Sequence, residues 1–360
     1  MKKAMSYLMI LAIAGTTIFA SAAPVLAEEE DGLYIAMVSK GFQHQFWQTA
    51  KAGAEDAAAK YGATISFNGP PSESDIDKQV DMLKSEVAKK PNAICLAALS
   101  TDAVMEQLQS CVDQGIPVIG FDSGVPNGPE GAVYATASTS NGAAAALAAD
   151  ELCKLDGYTD ALAAATSDDP IVVGILVQDA TSDSITSRTK GYIEEMKKLA
   201  GEVAQGSISV EGHELYNEEA EDPSVIIKVQ VAASADVVDV TNAAKALLNT
   251  ENLLSVFCSN EGSVTGFLAA TSDGSDLAEG GKYDGLIVAG FDAGATQKAA
   301  VRNGWFVGSI TQDPYNIGYQ AVELAVKACN GEEVSDVDTG AKWYTAENID
   351  DPEIAQLVYD

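Results

Sequence analysis

Leu33-Tyr34-Ile35-Ala36-Met37-Val38-Ser39-Lys40-Gly41-Phe42-Gln43-His44-Gln45-Phe46-Trp47 changes character halfway along. Its first six residues form an apolar run that reads as a buried strand, and residues 48–61 beyond it read as a helix. In an open parallel α/β sheet, ligands bind outside the carboxyl ends of the strands, so the crossing at 39–47 is the first candidate for a site. Two adjacent aromatics, a histidine and two glutamines are unusual content for a turn. Flat apolar faces beside hydrogen-bonding tips suit a sugar, whose ring has apolar C–H faces and a rim of hydroxyls. The competing reading is structural, with Phe46 and Trp47 opening the core face of the helix.

Working outward, short apolar runs alternate with amphipathic segments, the signature of βαβ units and parallel sheets. Strands are expected at 33–39, 64–67, 93–99, 117–122 and 133–136, and helices at 45–61, 75–90 and 102–114. Ser74 and Thr101 precede helices, where a hydroxyl can cap free N–H groups, and Gly62 and Gly115 mark helix ends. A second set begins with helix 140–155, strand 171–178, helix 184–200 and a weak strand at 208–215. Helix 237–249, strand 253–259, helix 262–271, strand 286–292, helix 296–303, strand 306–311 and helix 315–331 complete it. Residues 157–170 read as a loop, 217–222 as an acidic loop, and 225–232 as either strand or helix. The tail holds a short strand and a helix at 352–359.

The 360 residues are enough for two lobes with their own cores. Met1-Lys2-Lys3, the apolar run 5–20 and Val25-Leu26-Ala27 have the parts of a secretory signal, cleaved after residue 27. An uncleaved anchor is the alternative, since the run is nearly long enough to span a bilayer. The formal net charge is −32, which repels nucleic acid and anionic lipid and argues against either as a partner. Cys95, Cys111, Cys153, Cys258 and Cys329 sit in apolar contexts without metal-ligand spacing and read as buried small hydrophobes. With His44 and His213 the only histidines, a histidine-based metal site has almost no material. The Asp-rich pieces near 272–276 and 336–338 lack the spacing of a calcium loop. No cofactor and no metal are expected.

The strand ends carry a consistent kind of residue. Asp122-Ser123, Asn260-Glu261, Asp292 and Gln312 each close an expected strand at the same end, which a shared ligand explains better than ordinary loop polarity. Arg188 and Arg302 are the only arginines. Arg188 lies early in a helix past the strand 171–178, where a planar fork of donors can bridge two hydroxyls, while a surface ion pair is its bland reading. Arg302, late on its helix, reads as surface.

These segments together resemble the ribose-binding-protein-like substrate-binding proteins of ABC importers, with the type I periplasmic fold shared by lactose-repressor-type regulators. The resemblance rests on Ser39…Phe46-Trp47, Ile116-Pro117-Val118-Ile119-Gly120-Phe121-Asp122 and Ser187-Arg188-Thr189-Lys190-Gly191-Tyr192. Phe257-Cys258-Ser259-Asn260-Glu261, Gly290-Phe291-Asp292 and Ile310-Thr311-Gln312 complete the set. It implies two Rossmann-like α/β lobes with parallel sheets, joined by a three-segment hinge with the ligand cleft between them. The lobes implied are 31–137 with 313–340, and 138–312 with 341–360, with crossings near Ala137, near Gly262 and just after Gln312.

The resemblance also implies roles. Phe46 and Trp47, with Phe291, match aromatics that sandwich a sugar ring, and Ser39 and His44 match first-lobe positions. Asp122 and Ser123 match an acidic–polar pair, and Arg188, Asn260, Asp292 and Gln312 match residues that hold hydroxyls. Ser123 stands where ribose binders usually have arginine, and Gln45 replaces a usual proline, so the departures point away from ribose itself. The implied activity is capture of a monosaccharide or related polyol by hinge closure and delivery to a membrane permease, by a monomer in the periplasm or cell envelope. A regulator would need a DNA-binding segment where the leader lies. A nucleotide-dependent enzyme would need a Gly-rich first turn, and 39–47 has only Gly41. A glycosidase would need two opposed carboxylates, which Asp122 and Asp292 supply formally. A sensory role and an amino-acid ligand remain alternatives within the fold.

Overall fold

A computed structural model describes residues 32–42 and 44–359. The leader at 1–27 and Gln43 fall outside the described residues. The first part of the chain runs β1 (Tyr34–Val38), α1 (Gln45–Tyr61), β2 (Thr64–Asn68), α2 (Ile76–Lys89), β3 (Ala93–Leu96), α3 (Met105–Gln114), β4 (Val118–Phe121) and β5 (Val133–Ser138). It continues through α4 (Asn141–Cys153), α5 (Tyr158–Ala164), β6 (Ile171–Val177), α6 (Asp183–Gly201), β7 (Ser207–Glu211), β8 (Pro223–Val231), α7 (Val237–Leu248), β9 (Leu253–Cys258) and α8 (Glu261–Ala270). The remainder is β10 (Ile287–Phe291), α9 (Ala295–Arg302), β11 (Gly308–Gln312), α10 (Pro314–Cys329), β12 (Val337–Asp338), β13 (Ala341–Tyr344) and α11 (Pro352–Ala355). Among the described residues no helix is long and apolar enough to cross a membrane.

Two sheets result. One has the order β12-β5-β4-β3-β1-β2 and the other β13-β11-β10-β9-β6-β8-β7. All pairings are parallel except β13 against β11. Strands covered on both faces need apolar residues at every position, and β1 shows why its run does not alternate. Ile35 and Met37 pack toward α1 and α10, while Ala36 and Val38 pack toward α2 and α3. In the second sheet Val173, Ile175 and Val177 meet α4 and α6, and Leu176, Val256 and Cys258 meet α7 and α8.

The chain passes between the sheets at 139–140, at 313 and at 339–340, because β5 and β12 lie in the first sheet and β11 and β13 in the second. The implied crossing near Gly262 is corrected: β9, α8 and β10 all belong to the second sheet and its helices. The expected loop at 157–170 contains α5, whose Tyr158 and Leu162, one turn apart, are both buried. Residues 225–232, open between strand and helix, lie largely in β8, paired with β6 on one side and β7 on the other. All five cysteines are free.

Candidate ligand-binding site

The carboxyl ends of both sheets face a narrow cavity of about 20 Å³. From the first-sheet unit come Lys40, His44, Phe46, Trp47, Glu73 and Asp122, and from the second Ile185, Arg188, Asn260, Glu261, Asp292 and Gln312. Eight of the eleven residues singled out from the sequence are therefore brought together here. Phe46 and Trp47 meet edge to face at 5.0 Å, and both are nearly fully buried. They open the core face of α1 and line the cavity at once, so the two readings of this pair do not compete.

The other three stand behind the wall. The Ser39 hydroxyl donates to the carbonyls of Gly41 and Asn68, both at 3.2 Å, which ties off the first turn. The Ser123 hydroxyl accepts from the Ser184 backbone N–H at 3.2 Å, joining the loop after β4 to α6. Phe291 is fully buried with its ring 3.9 Å from the Arg188 guanidinium carbon, so it supports that cation from beneath instead of facing a ligand.

Charge is concentrated in a small space. Lys40 lies 3.2 Å from Asp122, and Arg188 stands between Asp122 at 3.9 Å and Asp292 at 3.8 Å. Asn141 accepts from Arg188 Nε at 2.7 Å and fixes the fork from α4. Asp292 accepts from Gln312 Nε2 at 2.6 Å and from the Glu261 backbone N–H at 2.9 Å. Burial pushes the Asp122 carboxyl up, against the pull of Lys40 and Arg188. Burial opposes the Lys40 ammonium too, but Asp122, Glu73 and Asp179 outweigh it and raise its pKa. For Glu73, burial is outweighed by His44, Lys40 and two hydrogen bonds, which hold its carboxyl below the ordinary range. Burial, with Asp292 and Glu73 adding to it against the opposing effect of His44, pushes Glu261 up to about 7.

Two acceptors on these walls, Glu261 Oε2 and Gln312 Oε1, have no hydrogen-bond partner, and Asp122 Oδ2 is held only by the Lys40 ammonium. Buried acceptors left unpaired are costly, so the cavity asks for a guest rich in donors. Lys40, Glu73 and Ile185 were not singled out from the sequence, and Glu261 was noted only as a strand-end neighbour of Asn260. The signal for two of them was present: Lys40 lies inside the first crossing, and Glu73 lies in the loop after β2, another carboxyl end of the same sheet. Glu261 adjoins Asn260, whose side chain caps α8.

Two α/β units with their strand ends turned on one charged, aromatic-lined cavity define a small-molecule binding protein. The chain belongs to the periplasmic binding protein domain family, whose model matches residues 35–333. It is 23% identical over 327 residues to the D-allose-binding periplasmic protein of Escherichia coli (strain K12), covering 87% of this chain and 90% of that protein. A solved structure named as an ABC transporter, LacI family transcriptional regulator from Brachyspira murdochii is 42% identical, with a TM-score of 0.76, over 91% of this chain and 99% of that one. An ABC transporter solute-binding protein from Agrobacterium vitis with bound D-fucose is 25% identical, with a TM-score of 0.72, over 91% and 100% of the two chains. A carbohydrate transporter solute-binding protein from Agrobacterium radiobacter in complex with D-arabinose is also 25% identical, with a TM-score of 0.71, over 92% and 100%. The family is one of substrate-binding transport proteins rather than enzymes, and its fold is the type I α/β arrangement.

Proposed function

We propose that this chain captures a monosaccharide or related polyol between its two units and delivers it to the membrane permease of an ABC importer, outside the cytoplasm. The observation that carries the reading is the pair of unpartnered acceptors, Glu261 Oε2 and Gln312 Oε1, beside the Lys40-bound Asp122 carboxylate, around one cavity whose wall includes Phe46 and Trp47. Hydroxyl groups donate to such acceptors, while Lys40, Arg188 and Asn260 supply donors for hydroxyl oxygens. The aromatic pair offers an apolar surface to the C–H face of a ring. The sugars named with the related structures, D-fucose and D-arabinose, are of this class. Binding proceeds by hinge closure: an open form takes the ligand on one unit, and the other closes over it and excludes water.

A thermal-shift screen tests this. The chain is unfolded and refolded to strip any bound ligand, then heated with D-allose, D-fucose, D-arabinose, other pentoses and hexoses, polyols and amino acids. Because the cavity wall carries the carboxylates Glu73, Asp122, Glu261 and Asp292 against Lys40 and Arg188, the panel includes D-glucosamine. A ligand at 1,000 times its Kd adds about 4.1 kcal/mol of stability. A large shift with one sugar or a few epimers is expected. A shift with amino acids alone, or with nothing, sinks the sugar assignment and leaves the fold standing.

A further inference from the structure

One line of hydrogen bonds runs from one unit to the other beside the cavity. Trp47 Nε1 donates to Glu73 Oε1 at 2.8 Å, and Gln178 Nε2 donates to Glu73 Oε2 at 2.8 Å. Asn260 Nδ2 then donates to Gln178 Oε1 at 2.9 Å. Asn260 Oδ1 accepts from the Ser263 backbone N–H at 3.0 Å and from its hydroxyl at 2.8 Å. Trp47 and Glu73 belong to the first-sheet unit, and Gln178, Asn260 and Ser263 to the second.

The direction of every bond in this line follows from its two ends. A backbone N–H can only donate, so the Asn260 oxygen must face Ser263 and its nitrogen must face Gln178. The Gln178 oxygen is thereby turned to Asn260 and its nitrogen to Glu73. At the other end, an indole N–H can only donate as well. Position 73 therefore meets donors on both sides, which a carboxylate can accept and an amide cannot. Room for the line comes from Gly262, where a Cβ would stand 1.6 Å from Gln178 Oε1. All four side chains are buried.

We propose that Glu73 and Gln178 are positioning residues for the ligand site, holding Trp47 on one wall and Asn260 on the other in their working orientations only when the units close. This rests on the cavity being the sugar site. Glu73 also lines that cavity, while Gln178 acts wholly through its neighbours.

The design invites an exchange test on the full chain. Glu73→Gln leaves a donor facing a donor, and Gln178→Glu sets two carboxylates against each other. Combining them restores each pairing: the new amide at 73 accepts from Trp47 and donates to the new carboxylate at 178, which also accepts from Asn260. Affinity for D-allose, D-fucose and D-arabinose is measured by calorimetry, and compactness of the sugar-free chain by small-angle X-ray scattering. Each single variant is expected to lose at least about tenfold in affinity and to scatter as a more open molecule, and the exchange to return to within about threefold. An exchange no better than the weaker single variant overturns the proposal, as do single variants with native affinity and scattering. Should a single variant fail to fold, recovery of fold and affinity in the exchange supports the proposal and failure to recover overturns it. If none of the three sugars binds the native chain, that counts against the ligand reading, and the scattering comparison still decides the line of bonds.

Discussion

Asp122 and Asp292 follow β4 and β10 with φ of 58° and 81°, a left-handed backbone that residues other than glycine rarely adopt. Strain of this kind persists where surrounding structure enforces it, and here it turns two carboxylates toward one guanidinium. Arg188→Ala is therefore expected to do more than abolish sugar binding: it leaves Asp122 and Asp292 buried without their shared cation, a situation that typically costs about 3–5 kcal/mol. Urea denaturation should show a lower midpoint for Arg188→Ala than for Arg188→Lys, with neither binding sugar tightly; equal midpoints would mean that the charge adds nothing to stability. Glu261 gives a pH test. Its carboxyl titrates near 7 in the folded chain, above the unfolded value, so the folded form holds the extra proton between about pH 4.5 and 7. Stability from this group is present at the acid end and lost as pH rises through 7. Glu261→Gln should flatten the fall in melting temperature between pH 5 and 7.5, and an unchanged slope would remove Glu261 as its source. At this scale the sequence was informative where a residue was rare or out of place, as Arg188 was. It could not tell the sugar-stacking role implied for Phe291 from the place beneath the Arg188 guanidinium, because both require the same side chain.

Among the elements, α1 and α10 make the closest helix pair of the first-sheet unit. A Cβ at Gly53 would lie 1.9 Å from the Tyr315 carbonyl oxygen, and one at Gly318 would lie 1.8 Å from that of Ala50. Neither obstacle is a movable side-chain tip, so the helices must separate to admit any other residue. Gly318→Val is expected to lower stability by 3 kcal/mol or more, above the usual ~1–3 kcal/mol of overpacking because backbone is what blocks it. Guanidinium denaturation followed by circular dichroism measures it, and a loss below about 1 kcal/mol would mean that the pair separates freely. The long elements were legible because periodicity survives on strands and helices buried on defined faces. β8 buries Val225, Ile227 and Val229 on one face and leaves Ile226, Lys228 and Gln230 half-buried on the other, a period-two pattern short enough for the apolar residues 225–227 at its start to read equally as a helix turn. β12 has two residues and owes its existence to its partner β5, which no local pattern announces.

At the scale of the whole molecule the two units also touch through bonds at the cavity wall and beyond it. Thr181 Oγ1 donates to the Leu99 carbonyl at 2.8 Å, and Lys40 Nζ donates to Ser184 Oγ at 3.0 Å. Asp236, exposed at the start of α7, accepts from Ser72 Oγ at 3.0 Å and from Ser74 Oγ at 3.1 Å across the cleft. Those two serines flank Glu73, so the exposed clasp and the buried line of bonds engage the same loop. Asp236→Ala removes the clasp and touches no residue of the cavity wall. Two exposed hydrogen bonds are together worth about 1–2 kcal/mol, and they exist only in the closed arrangement. Their loss should therefore speed release without altering capture. Stopped-flow measurement with the sugar found in the thermal screen should give a koff raised about 5- to 30-fold, with kon unchanged. Scattering of the sugar-free chain should shift toward the open form in parallel. An unchanged koff would mean that closure is held by the ligand and the buried contacts alone. A fall in kon instead would place the clasp on the route into the site, ahead of closure.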